Sequence, residues 1–226
     1  MEKRWEDIDV TRDIPLIAGN VSEHYGTVTI CYGGYIEFQG TGTFTAETLI
    51  IEPGETEGMN RWNAHLVATG IPGEAGEMGK DGKPGGKGAN AVMKIKNLVG
   101  DAVACALGSE GGAGGYGGNG GDGNDGFGNG DGGSGGNGGK GGNGGDGGKG
   151  AVFSITWASE NGSRIIPKED FAPGGAGGNG GEGGNPGKGG PGGSDGQSGL
   201  PGKKGDAGKP GEKGTIKLKE KLGGCI

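Results

Sequence analysis

Residues 108–150 read GSEGGAGGYGGNGGDGNDGFGNGDGGSGGNGGKGGNGGDGGKG, with glycine at every third place and a single miss at Asn129. Over most of the stretch the next residue is glycine as well, so the unit is Gly-Gly-X. An α-helix cannot be written this way, because each interior glycine costs ~1 kcal/mol relative to alanine. A strand alternates with period two, and a period of three puts the bare positions on neither face of a pleat. Three residues per turn is the period of the polyproline II helix, and two of its three edges would here be nothing but backbone. A Gly/Ser-rich chain is by default a flexible coil, since ordering glycine loses the most backbone entropy. A linker, however, has no reason to hold glycine in register over such a length. Close packing of backbones does, because bare edges let N–H and C=O groups of neighbouring segments bond, with Cα–H···O contacts in support.

Length then predicts a reversal. At ~3.1 Å per residue the stretch would run to about 130 Å, whereas a compact chain of this size has a radius of gyration of about 17 Å. The segment Asn124-Asp125-Gly126-Phe127-Gly128-Asn129-Gly130-Asp131, where the register falters, is rich in turn formers and marks the fold-back.

Working outward, two further tracts keep the period. Residues 70–88, GIPGEAGEMGKDGKPGGKG, have mostly one glycine per triplet and so read as an outer segment with side chains on two edges. Residues 175–214 begin as Gly-Gly-X and end as GLPGKKGDAGKPGEKG, a Gly-X-Y pattern. Each tract closes on a Lys-Gly step, at Lys87-Gly88, Lys149-Gly150 and Lys213-Gly214, and runs into an alternating stretch that reads as a strand. Before residue 70, alternation in 27–32, 35–39 and 43–51 is broken at Gly33-Gly34 and Gly40-Thr41-Gly42, and predicts strands of a β meander or small β layer. The expected fold is thus mostly β plus polyglycine II: a small β-strand scaffold carrying a bundle of extended polyglycine II helices, with almost no α-helix. A β-rich region 1–69 would precede a glycine-rich region 70–226 with interleaved strands at about 91–107, 151–158 and 215–222.

Composition bounds the function. Of 226 residues 66 are glycine, but only 10 are proline, short of the proline fraction of a collagen. A collagen-type trimer competes only for the proline-bearing tracts. Hydrophobic residues are 29%, which supports a small core, and the net charge of -7 argues against a nucleic-acid partner. No apolar run approaches the length of a membrane span, and the opening residues lack the apolar region of a secretory signal. Cys31, Cys105 and Cys225 are too few and too far apart for a disulfide framework or zinc site. Residues 117–122 fit the start of a calcium-binding nonapeptide, but its apolar place falls on Asn124, so no metal or cofactor is expected. His24 and His65 are the only histidines and no carboxylate pair sits in an apolar setting, so enzymatic activity is not expected either.

Gly-Gly-X arms returning through short turns beside a β-rich portion resemble the polyglycine II sandwiches of tail-fibre-tip adhesins of T-even-like bacteriophages. GGKGANAVMKIKN at 85–97 and GGAGGYGGNGGDG at 111–123 carry the likeness. The resemblance implies recognition of a host receptor by loops at the distal end of the bundle, a place outside the cell or on a virion surface, and no catalysis. A weaker similarity is to glycine-rich antifreeze proteins of springtails. On the residues themselves, Tyr116 and Phe127 stand among small neighbours. With Asn124, Asp125 and Asn129 of the reversal, and Asn161 and Arg164 of the connection 159–172, they are the candidate contacts for a cell-surface glycan or protein. The alternatives are a structural protein that self-associates into an oligomer or filament through its glycine edges, and an ice-binding protein.

Overall fold

Ala91, Met93 and Ile95 are buried while Lys94 and Lys96 are exposed, the period of two that a half-buried strand requires. Eleven stretches form strands in a computed structural model that describes residues 5–12, 16–18, 22–53 and 63–221. In chain order they are Ile8–Val10 (β1), Leu16–Ala18 (β2), Glu23–Ile30 (β3), Ile36–Phe38 (β4), Gly42–Ile51 (β5) and Leu66–Ala68 (β6). Then come Asn90–Val99 (β7), Ala102–Ala106 (β8), Val152–Trp157 (β9), Ile165–Glu169 (β10) and Thr215–Glu220 (β11). The odd strands form one sheet, β1-β3-β5-β7-β9-β11, and the even strands the other, β10-β8-β6-β4-β2. Every pairing is parallel. The chain therefore visits the two sheets in strict alternation, and winds as a flattened coil.

This corrects the expected architecture. A small meander bearing a bundle of polyglycine II helices is replaced by two parallel sheets, with no helix among the described residues. Alternation shows that a segment is a strand but not which strand it pairs with. The glycine pairs at 33–34 and 40–42 are corners that pass the chain to the other sheet, not hairpin turns. Both sheets draw strands from either side of residue 69, and the interleaved strands fall at 90–99 with 102–106, 152–157 and 215–220. Residue 222 of the last expected strand and Cys225 lie outside the described residues.

The core lies between the sheets. From the six-stranded sheet, registered columns such as Phe44, Met93 and Ile155, or Ala46, Ile95 and Trp157, point inward. The five-stranded sheet answers with Phe38, Ala68 and Ala106, and with Ile36, Leu66 and Ala104. Small alanines leave room for three phenylalanines: Phe38 meets Phe44 edge-on at 5.8 Å and Phe153 at 5.0 Å between centroids.

Coiling gives the sheets two edges. At one, odd strands hand over to even strands; at the other, even strands hand over to odd ones. All three glycine tracts lie at the second edge, as arms spanning 69–89, 107–151 and 170–214. Each arm runs out, reverses at Met78–Gly79, Gly128–Asn129 or Pro191–Gly192, and returns. The turns need a left-handed residue, supplied by Gly79, Gly128 and Gly192 with φ of 70°, 61° and 85°.

His65 enters β6 with both backbone groups of Val103 on it: its N–H donates to the Val103 carbonyl, and its Nδ1 accepts the Val103 N–H at 3.1 Å. That contact requires a neutral ring, and burial lowers the His65 pKa. The folded value lies below the unfolded one, so this contribution to stability is complete above about pH 6.5 and drains as pH falls through it, the unfolded chain taking up the proton first. Urea midpoints should thus fall between pH 7.5 and 5, and less steeply in His65→Gln, whose amide oxygen can accept the same N–H. An equal slope in both proteins would show that His65 is not the group responsible. Phe153→Ala should cost about 3–5 kcal/mol by the same assay. Gly115→Ala should also destabilise, by about 1–3 kcal/mol or more, since its Cβ would run into the Glu77 carbonyl.

Candidate ligand-contact surfaces on the glycine arms

The arms are held to one another by backbone bonds at three-residue spacing. Within the second arm, Gly136, Gly139, Gly142 and Gly145 of the returning limb donate to the carbonyls of Gly121, Gly118, Gly115 and Gly112 of the outgoing limb, at 2.7–2.8 Å. Outgoing Gly117, Gly120 and Gly123 donate to Asn179, Glu182 and Asn185 of the third arm at 2.8 Å. The first arm joins from the other side, with Gly73, Gly76 and Gly79 donating to Glu110, Ala113 and Tyr116. The second arm thus lies between the first and the third.

Position decides composition. Where the first arm covers the second, both glycines of a Gly-Gly-X unit have a neighbour's backbone where Cβ would stand: Gly112 faces the first arm, Gly111 its own returning limb. The first arm and the returning limb of the third pack on fewer sides and carry Gly-X-Y. All the prolines of the arms (Pro72, Pro84, Pro173, Pro186, Pro191, Pro201 and Pro210) lie in the first and third arms, and residues 108–150 contain none. A residue without an N–H is tolerated only where no donor is needed.

The third residue of the unit has its own task. Asn119, Asp122 and Asp125 each accept, through Oδ1, the backbone N–H of Glu182, Asn185 and Lys188 at 2.8–3.0 Å. Asp131, Asn137, Asn143 and Asp146 do the same for Ser194, Leu200, Asp206 and Lys209. Donor and acceptor are always 63 residues apart, one turn of the coil. Asp81 extends the ladder to the first arm by accepting the Asn143 N–H at 2.6 Å. In the third arm, which has no such neighbour beyond it, the equivalent places hold Glu182, Lys188, Leu200, Lys203 and Lys209 among others.

The chain matches no family model, no curated protein and no solved structure. Its surfaces must be judged on their own geometry.

Four of the sequence candidates come together at one end. Phe127, fully exposed, precedes the turn of the second arm; its carbonyl accepts the Gly130 N–H at 3.1 Å. Asn129 is in that turn, and Asn124 is exposed beside it, its carbonyl bonded to Gly133. Asp125 is a ladder residue, with one carboxylate oxygen engaged by Lys188. Tyr116 lies further back along the second arm, 69% exposed, in a groove of about 460 Å³ lined also by Ala75, Met78, Ala113, Ala176 and Asn179.

Asn161 and Arg164 are not part of this surface. They belong to the connection from β9 to β10, at the opposite edge of the coil from the arms. Asn161 Oδ1 accepts from Ser159 Oγ and from the Ser163 N–H and Oγ, which builds the turn around Gly162. The Arg164 N–H donates to Asp101 at 2.8 Å, and its guanidinium lies 3.4 Å from the same carboxylate. Residues that sequence reasoning passed over are Lys188 and Pro191, beside the tip of the second arm through the bonds Gly126 N–H to Lys188 and Gly190 N–H to Gly130. The signal for them was the 63-residue offset between acceptor side chains and the third tract.

Asn143 occupies the middle of the ladder, so Asn143→Ala removes the acceptor for Asp206. It should cost about 0.5–1.5 kcal/mol and speed amide exchange at Asp206, while Asn143→Asp keeps the acceptor and both readouts. Unchanged exchange at Asp206 in the alanine variant would show that the ladder adds nothing to the backbone bonds.

Proposed function

We propose that this protein is a non-enzymatic binding module of the adhesin or fibre-tip kind, displayed outside the cell or on a virion, which meets a cell-surface glycan or protein with the distal end of its arms. The observation that carries this is Phe127: a large apolar ring, fully exposed, at the end of the longest arms. Burial elsewhere in the chain gives such a ring no folding role, and an exposed aromatic on a surface of glycine is what a contact site needs. Its frame is fixed by the bonds from Gly126, Gly130 and Gly190, so little ordering entropy remains to be lost on binding. Around it Asn129 offers an amide, Asp125 its free carboxylate oxygen and Lys188 an ammonium, which suits hydroxyl-rich or polar ligands. The Tyr116 groove, a second apolar contact, is lined by Ala, Gly, Met and Asn and offers no acid or base beyond the tyrosine hydroxyl.

The test is capture by immobilised protein of whole bacterial cells from a panel of strains, together with a glycan array. Phe127→Ala should abolish capture of any strain the parent protein holds, with the melting temperature unchanged, because the ring touches nothing in the fold. Undiminished capture by that variant would overturn the assignment of the contact to this end.

A further inference from the structure

The first arm is shorter than the second, and it leaves part of the second uncovered. Where it lies on the second arm, outgoing Gly112 and Gly115 donate to Lys83 and Lys80, and outgoing carbonyls of Glu110, Ala113 and Tyr116 accept from the first arm. Returning carbonyls of Asn143, Asp146 and Lys149 accept from it too. Beyond the Met78–Gly79 turn the same series continues with nobody to bond. Among the described residues, the N–H groups of Gly118, Gly121 and Asn124 make no hydrogen bond, and neither do the carbonyls of Asn119, Asp122, Ser134, Asn137 and Lys140. Gly133, Gly136 and Gly139 are exposed there, and a Cβ on Gly121 would meet nothing within 4 Å.

On the outward face of the third arm, the outgoing limb keeps glycine donors open among the described residues, at Gly174, Gly177, Gly180 and Gly183, but the returning limb beside it is protected. The returning limb of the third arm carries side chains at Asp195, Ser198, Pro201, Lys204, Ala207 and Pro210, the places homologous to packing glycines of the second arm. Prolines remove donors there, as they do on protected strand edges. The uncovered ledge has neither protection: Gly133, Gly136 and Gly139 lie tight on their own outgoing limb, but Gly118 and Gly121 stay bare with no backbone beside them.

We infer that the ledge pairs with the ledge of a second copy of this chain. The occupant must itself be bare along one edge and present open donors and acceptors at three-residue spacing. The ledge meets both conditions, so it is complementary to itself, as a two-fold interface must be. The two copies lie antiparallel, the second arm of each taking the place that a longer first arm would fill on the other. This continues the contact already made between the first and second arms. It also brings the Phe127 end of each copy against the Met78 turn of its partner, and so covers two of the most exposed apolar side chains of the arms. Pairing and ligand contact share Phe127 and exclude one another; the paired form is the unliganded one. A ledge about 30 Å long and two limbs wide makes a joint smaller than a standard interface of about 1,600 Å², so the pair is weak and exchanging.

Sedimentation velocity on the full chain across about 10–500 µM tests this, with Gly121→Lys as the variant. The substitution enters open space in the monomer, so dichroism and melting temperature should match the parent. In the joint it sets a side chain and a charge between two backbones, and should weaken self-association at least about tenfold. A parent protein that stays monomeric throughout the range, or a dimer that Gly121→Lys leaves intact, overturns the proposal. Cell capture by Gly121→Lys separates it from the binding role: that variant should capture cells at least as well as the parent.

Discussion

The absence of a Cβ at every third residue, and in the second arm at two of every three, is the constraint from which the rest of this structure follows. Only then can main chain lie against main chain closely enough for N–H and C=O of separate limbs to bond. The balance is narrow. A net gain of about 1 kcal/mol per hydrogen bond is set against about 1–2 kcal/mol for fixing each backbone residue, a cost that glycine carries in full. Arms left free at both ends would not close that gap. Here each arm leaves from the end of one strand and returns to the start of another, so the coil of sheets fixes both ends and the register between them. Parallel strands ordinarily need a long crossover to connect them. In this chain three of the crossovers on one edge have become the arms.

The ladder of Asn and Asp side chains fits the same logic. Glycine N–H groups that face a neighbouring limb bond to it directly, but the N–H of the third residue in most units of the third arm takes a side-chain acceptor. A short side chain ending in an oxygen, one coil turn earlier, supplies it. Ser194, Leu200 and Lys209 therefore depend on Asp131, Asn137 and Asp146, whereas the last arm, with no successor, is free to carry lysine and glutamate. Glycine, Asx, proline and charge thus record how many neighbours each limb has.

Much of this could be read from the sequence and some could not. The spacing of glycine shows where limbs must touch, and the Gly-X-Y pattern of 70–88 shows where they touch less. The reversal falls at Gly128–Asn129, inside the turn-rich segment. Alternation located β7, β9 and β11, because a half-buried strand writes its period into a few residues. Pairing was not written there: a glycine corner and a glycine hairpin look alike, and parallel partners two strands apart leave no local trace. Asp125 shows the other limit. At a turn, an exposed carboxylate reads as a contact residue, and only the residue 63 places later reveals that one of its oxygens is already spent on the Lys188 N–H. Asn161 is alike, a polar loop side chain whose bonds all go to its own turn.

In the proposed binding role, rigidity is what the arms contribute. A loop of similar composition would be mobile, and whatever its tip carried would have to be ordered at each encounter. In the arms the backbone bonds run to within a residue of Phe127, with the third arm bonded alongside through Gly190, so the end is set before any ligand arrives. The same device has a cost: a bare glycine surface with open donors is attractive to any similar surface. The outer limbs meet that hazard with proline, lysine and aspartate. Where the first arm stops short the hazard is left unanswered, and the proposed pairing of two copies is what would make an unprotected edge there a contact retained, not one avoided.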